Sequence, residues 1–76
     1  MPSLEIEYCH PCGFLDRALD VQAAVMRSFG GDLKSATLTV GDHGVFVVRV
    51  DDTVVFNVSE EPFDVDEIVR TVRAEL

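Results

Sequence analysis

Between Tyr8 and Phe14 the apolar pattern of this chain changes period, and both of its cysteines fall within the change. Leu4, Ile6 and Tyr8 alternate with Ser3, Glu5 and Glu7, the period of a strand with one buried face. From Phe14 to Phe29 the apolar residues Leu15, Ala18, Leu19, Val25, Met26 and Phe29 recur at helical spacing, with Asp16, Arg17, Asp20 and Arg27 outside that set. A strand that runs straight into a helix predicts an α/β layer structure, with Cys9 and Cys12 at the junction. The 76 residues allow one small domain, 1–76, near the size at which apolar burial only narrowly offsets chain entropy.

The remaining elements follow from composition. Gly30-Gly31 reads as a helix stop, since glycine accepts the left-handed conformation of a helix C-terminus. Residues 36–40, 45–50 and 54–58 are rich in β-branched and aromatic side chains and predict three strands. Gly41-Asp42-His43-Gly44 between the first two of these reads as a hairpin turn, and Asp51-Asp52 turns the chain again. Asp64 with Glu67 predicts a capping box, and Val65, Ile68, Val69, Val72 and Leu76 line one face of a closing helix. The order β-α-β-β-β-α predicts a two-layer sandwich in which the first two strands are parallel and the rest antiparallel.

The dithiol carries the chemistry. A bridge between cysteines so close in sequence restrains the unfolded chain little, so the pair reads as a reactive site rather than a staple. A thiolate near a helix N-terminus is stabilised by unpaired N–H groups and the helix dipole, which favours attack on disulfides. Protonated His10 would add to that stabilisation and make the disulfide more oxidising; its other reading is an exposed turn residue. Pro11 has a fixed φ and no N–H, which suits a first helical turn. His43, between glycines in its predicted turn, reads as solvent-facing rather than catalytic, in a turn that can reach the dithiol edge. Phe14, Phe29, Phe46 and Phe56 read as core, and Phe63 as a staple for the last helix.

Tyr8-Cys9-x-x-Cys12-Gly13-Phe14, the amphipathic helix after it, and Gly44-Val45-Phe46-Val47-Val48-Arg49-Val50-Asp51 leading to Val54-Val55-Phe56 together resemble the selenoprotein W-like (Rdx) family. The resemblance covers nearly the whole chain. It implies a thioredoxin-like fold, no cofactor, and thiol redox chemistry through Cys9 and Cys12, linked to glutathione, thioredoxin or a protein disulfide. Selenium-containing members carry selenocysteine at the position of Cys12, so this chain resembles a cysteine homologue. Thioredoxin precedent points to Cys9, expected to be the more exposed where the strand ends, as the attacking thiol, and selenocysteine placement to Cys12; the reading leans to Cys12, and the sequence assigns only the pair. Many members carry a basic stretch after the last strand, whereas this chain reads Asn57-Val58-Ser59-Glu60-Glu61-Pro62-Phe63. It also lacks the proline that faces the dithiol in thioredoxins.

Three rival readings stand beside a small reductase or redox sensor. Two soft thiolates suit a Cu(I) carrier, although heavy-metal domains place a second helix before their last strand. Zinc held by Cys9, Cys12, His10 and His43 lacks the paired histidine spacing of a structural site. A non-catalytic interaction module could use the dithiol only to sense redox state. Asp51-Asp52 and Glu60-Glu61 read as solvated turns without the ligand spacing of a calcium loop.

Net charge is −8, from 14 acidic and 6 basic residues, with Lys34 the sole lysine. No basic patch exists to neutralise phosphates, which argues against a nucleic-acid partner. No apolar run approaches the roughly 20 residues of a membrane span, and the N-terminus has neither a basic start nor an apolar core. The expectation is a soluble cytoplasmic protein. Abundant Asp and Glu with scarce Lys also suit a proteome kept in strong salt, where screening removes self-repulsion. The fold should therefore tighten, with a higher thermal midpoint, as the Debye length falls from about 30 Å in ~0.01 M salt to about 3 Å in ~1 M. Circular dichroism and melting unchanged across that range would count against the halophilic reading.

Overall fold

The computed structural model describes all 76 residues. In chain order the elements are β1 (Ser3–Tyr8), α1 (Leu15–Phe29), a short 3-10 turn (Gly30–Asp32), β2 (Ser35–Val40), β3 (Phe46–Val50), β4 (Thr53–Asn57) and α2 (Val65–Glu75). The strands form one sheet in the order β2-β1-β3-β4. β1 is parallel to β2, with Ile6 opposite Leu38, and antiparallel to β3, with Ile6 opposite Val48. β3 and β4 form a hairpin through Asp51-Asp52, with Asp51 at φ 53°. The fold is thus the expected β-α-β-β-β-α sandwich, and one pairing differs. β2 and β3 are not neighbours, so residues 41–44 are not a hairpin turn. They cross the end of β1 instead.

One face of the sheet is covered. Leu4, Ile6 and Tyr8 of β1, Phe46, Val48 and Val50 of β3, and Phe56 of β4 pack into one cluster with Ala18, Val21 and Val25 of α1 and Ile68 and Val72 of α2. Their alternation along each strand is what a one-sided core requires. On the other face Arg49 reaches both Glu5 Oε1 (3.1 Å) and Glu7 Oε1 (3.0 Å), while Thr39 Oγ1 donates to Glu5 Oε2 (3.1 Å).

The helices hold three corrections. The core face of α1 is Ala18, Val21 and Val25, whereas Leu19 and Met26 are 44% and 43% exposed. Gly30 is helical at φ −52°, so α1 tightens into a 3-10 turn rather than stopping on a left-handed glycine. Asp64 caps α2 by accepting from the N–H groups of Asp66 (3.0 Å) and Glu67 (3.3 Å), but the Glu67 side chain pairs with Arg70 (2.9 Å), so only half of the capping box forms. No helix is long and apolar enough to cross a membrane.

The two faces of α1 can be told apart by urea denaturation. Val21→Ala should cost about 1–3 kcal/mol, as truncation of a buried aliphatic does, whereas Leu19→Ala should stay within about 0.5 kcal/mol. Equal losses would contradict the assigned core face.

Candidate functional site

Cys9 follows the last residue of β1, and its N–H donates to the Val45 carbonyl (2.8 Å), extending the ladder with β3. Its side chain is fully buried, at 0% exposure. From there the chain turns through His10-Pro11-Cys12-Gly13, closed by a bond from the Gly13 N–H to the His10 carbonyl (3.1 Å). This is a β-turn with proline at its second position, where the fixed φ suits it. The turn brings Cys12 back onto Cys9, and the two are joined as a disulfide.

α1 begins only at Leu15, with Phe14 as its N-cap residue. Pro11 is therefore not in a first helical turn, and the cysteines do not share a helical turn. The polar groups at Cys12 come instead from residues 41–45. Gly41 N–H donates to the Tyr8 carbonyl (2.8 Å), and the Val45 carbonyl receives Cys9 N–H, so the segment is tied to the end of β1 at both of its ends. Between these ties the Gly44 N–H donates to Cys12 Sγ (3.3 Å), and His43 Nδ1 lies 3.9 Å from the same sulfur. Gly44 has φ +82°, a conformation that L side chains rarely adopt, and this sets its N–H on the sulfur. At Gly41 a Cβ would stand 2.6 Å from Glu7 Cγ and 2.7 Å from Val45 Cγ1, so only glycine lets the segment lie so close to β1.

Three of the five residues singled out from the sequence converge. Cys9, Cys12 and His43 present donor atoms that all lie within 4.8 Å of one another. His10 and Pro11 are exposed on the turn, and the His10 ring lies edge-on to Tyr8 at 6.5 Å rather than against a sulfur. The imidazole at the dithiol is thus His43. The expectation of a more exposed Cys9 is reversed, since Cys12 is the half-buried cysteine. The hairpin reading let residues 41–44 come near the dithiol edge, but the Gly44 amide carries no side-chain signal in the sequence, and only the crossing over β1 sets it on the sulfur.

Beneath the site lies an aromatic layer. The Phe46 ring meets Phe14 (5.9 Å), Phe56 (6.0 Å) and Phe63 (5.6 Å) edge-on, and the Arg17 guanidinium sits over both Phe14 (5.2 Å) and Phe63 (5.1 Å). Phe14 follows the dithiol turn and Phe46 follows the crossing segment, so their contact pins both pieces of the site to the core.

A family model described as the Rdx family matches residues 3–74. Among solved structures, a Bordetella parapertussis protein is similar at 27% identity and a TM-score of 0.90, covering 99% of this chain and 98% of that one. A selenoprotein W-related protein from Vibrio cholerae shares the fold at 17% identity and a TM-score of 0.91, covering 97% and 95%. No curated protein matches.

The burial difference predicts unequal thiols. After reduction, limited alkylation followed by peptide mapping should label Cys12 first, with Cys9 lagging about tenfold or more because its reaction waits on local opening. Equal labelling would contradict the placement of Cys9 in the core.

Proposed function

The chain belongs to the Rdx family, and on that premise we propose that it is a thiol-disulfide reductase in which Cys12 attacks and Cys9 resolves. The observation that carries this reading is the asymmetry of the pair. Cys12 alone reaches the surface, and Cys12 alone faces an imidazole and a backbone N–H.

In the reduced protein, His43 Nδ1 accepts the Cys12 thiol proton when the ring carries its own proton on Nε2. The Gly44 N–H holds the resulting thiolate by a charge-assisted hydrogen bond. The thiolate attacks one sulfur of a substrate disulfide, forming a mixed disulfide on Cys12 and expelling the other sulfur as a thiolate, which takes up a proton. Cys9 then loses its proton and attacks Cys12 Sγ, releasing the second substrate thiol and closing the Cys9–Cys12 bridge. Two electrons and two protons pass to the substrate. A thiol donor such as glutathione or thioredoxin restores the dithiol by the reverse exchange. Burial of Cys9 keeps the resolving thiol from outside disulfides while leaving it beside Cys12.

Titration against glutathione buffers, with thiol state read by alkylation and mass, should show one two-electron transition between about −180 and −280 mV, the range of thioredoxin-like proteins. Cys9→Ser should accumulate a mixed disulfide on Cys12, and His43→Ala should form it more slowly. Absence of an intramolecular disulfide, or equal trapping on Cys9 in Cys12→Ser, would sink the assignment.

A further inference from the structure

The reduced dithiol and the histidine across from it satisfy a second chemistry. Three donor atoms from two parts of the chain, Cys9 Sγ and Cys12 Sγ of the turn after β1 and His43 Nδ1 of the crossing segment, meet within 4.8 Å with no carboxylate among them. Two thiolates and an imidazole are the ligands of a borderline-soft ion rather than of calcium or magnesium. We infer that the reduced protein holds one Zn2+ between Cys9, Cys12 and His43.

The distances support that set. With Zn–S near 2.3 Å and Zn–N near 2.0–2.1 Å, a tetrahedral centre places its ligand sulfurs about 3.8 Å apart and a sulfur and a nitrogen about 3.6 Å apart. His43 Nδ1 already stands 3.9 Å from Cys12 Sγ, so it closes by a few tenths of an ångström. The sulfurs must separate, which reduction of their bond permits, and two cysteines with two residues between them are a spacing that zinc sites use. The Gly44 N–H on Cys12 Sγ supplies the outer hydrogen bond that orients a ligand and steadies its charge. A net charge of −8 further favours a cation at the site. Cys12 and His43 reach the surface, so the fourth position faces outward and is open to water or an incoming thiol.

The balance of the step is simple. An external dithiol reductant supplies two electrons and two protons to open the Cys9–Cys12 bond, and Zn2+ then displaces both thiol protons to bind two thiolates. No electron moves in the second stage. Disulfide and metal therefore exclude each other, and oxidation of the pair releases the ion.

Both Zn2+ and its spectroscopic substitute Co2+ test the site in the intact chain, reduced and then freed of reductant under anaerobic conditions. Co2+ should bind in a one-to-one ratio, with thiolate charge-transfer absorption and the visible bands of a tetrahedral ion. Zn2+ should displace it, and the disulfide form should bind neither. His43→Ala should weaken binding by about 100-fold or more, because even the outer partners of a ligand are worth roughly 10–100-fold. His10→Ala should bind like the parent. The inference is overturned if Co2+ and Zn2+ fail to bind the reduced chain, if only Cu(I) binds, if His43→Ala binds as tightly as the parent, or if His10→Ala is the variant that loses the ion. None of these outcomes touches the glutathione titration, so the redox reading stands or falls separately.

Discussion

β1 must lie between β2 and β3, because it pairs in parallel with one and antiparallel with the other. A chain leaving β2 and entering β3 then has to step over β1, a distance of two strand spacings or about 10 Å. Residues 41–45 make that step at the end of β1 where the cysteines emerge. His43 and the Gly44 amide thus reach the dithiol through strand order and not through any local motif. The crossing is held down by the Gly41 and Val45 backbone bonds, and Glu7, gripped by Arg49, packs where a Cβ at Gly41 would stand. A polar bond on the open face of the sheet is thereby linked to the site.

The same geometry divides labour between the cysteines. Cys9 continues the β1 ladder and is sealed in the core, while the turn ending at Gly13 lifts Cys12 to the surface. A bridge closing so short a loop restrains the unfolded chain less than one closing a long loop. Fold stability therefore rests mainly on the apolar cluster, in which the edge-on aromatic pairs of Phe46 are worth about 0.5–1.5 kcal/mol each.

Much of this was legible in the residues. The alternation of Leu4, Ile6 and Tyr8, the run 45–50 and the Asp64 cap gave away element types and order, and the change of period after Tyr8 put the dithiol at the end of β1, although α1 starts only at Leu15. The face of α1 differs from the expected one because two adjacent stripes share the helical period, and Leu19 and Met26 are larger apolar side chains than Val21. The helix buries its smaller residues, which let it approach the sheet closely. The strand order had a signal that went unused. Ser35-Ala36-Thr37-Leu38-Thr39-Val40 is the polar composition of an edge, whereas Phe46-Val47-Val48-Arg49-Val50 is that of an interior strand. An edge β2 parallel to β1 leaves β3 only the far side of β1, and the crossing follows.

That crossing also bears on how a chain of net charge −8 would hold a thiolate at Cys12, as the proposed reduction requires. Two cations of the flanking elements are committed elsewhere: Arg49 to Glu5 and Glu7, and Arg17 to the rings of Phe14 and Phe63. With α1 starting three residues beyond Cys12, the helix terminus is not the donor either. What faces the sulfur is a backbone N–H fixed by Gly44 and the His43 imidazole. A fixed guanidinium at that place would stabilise the thiolate but repel a metal cation, whereas a neutral N–H and an imidazole serve both. The donors at Cys12 thus suit both proposals for the reduced dithiol, a Cys12 thiolate that attacks a disulfide and a thiolate pair that ligates an ion, and the Cys9–Cys12 bridge is the state in which neither takes place.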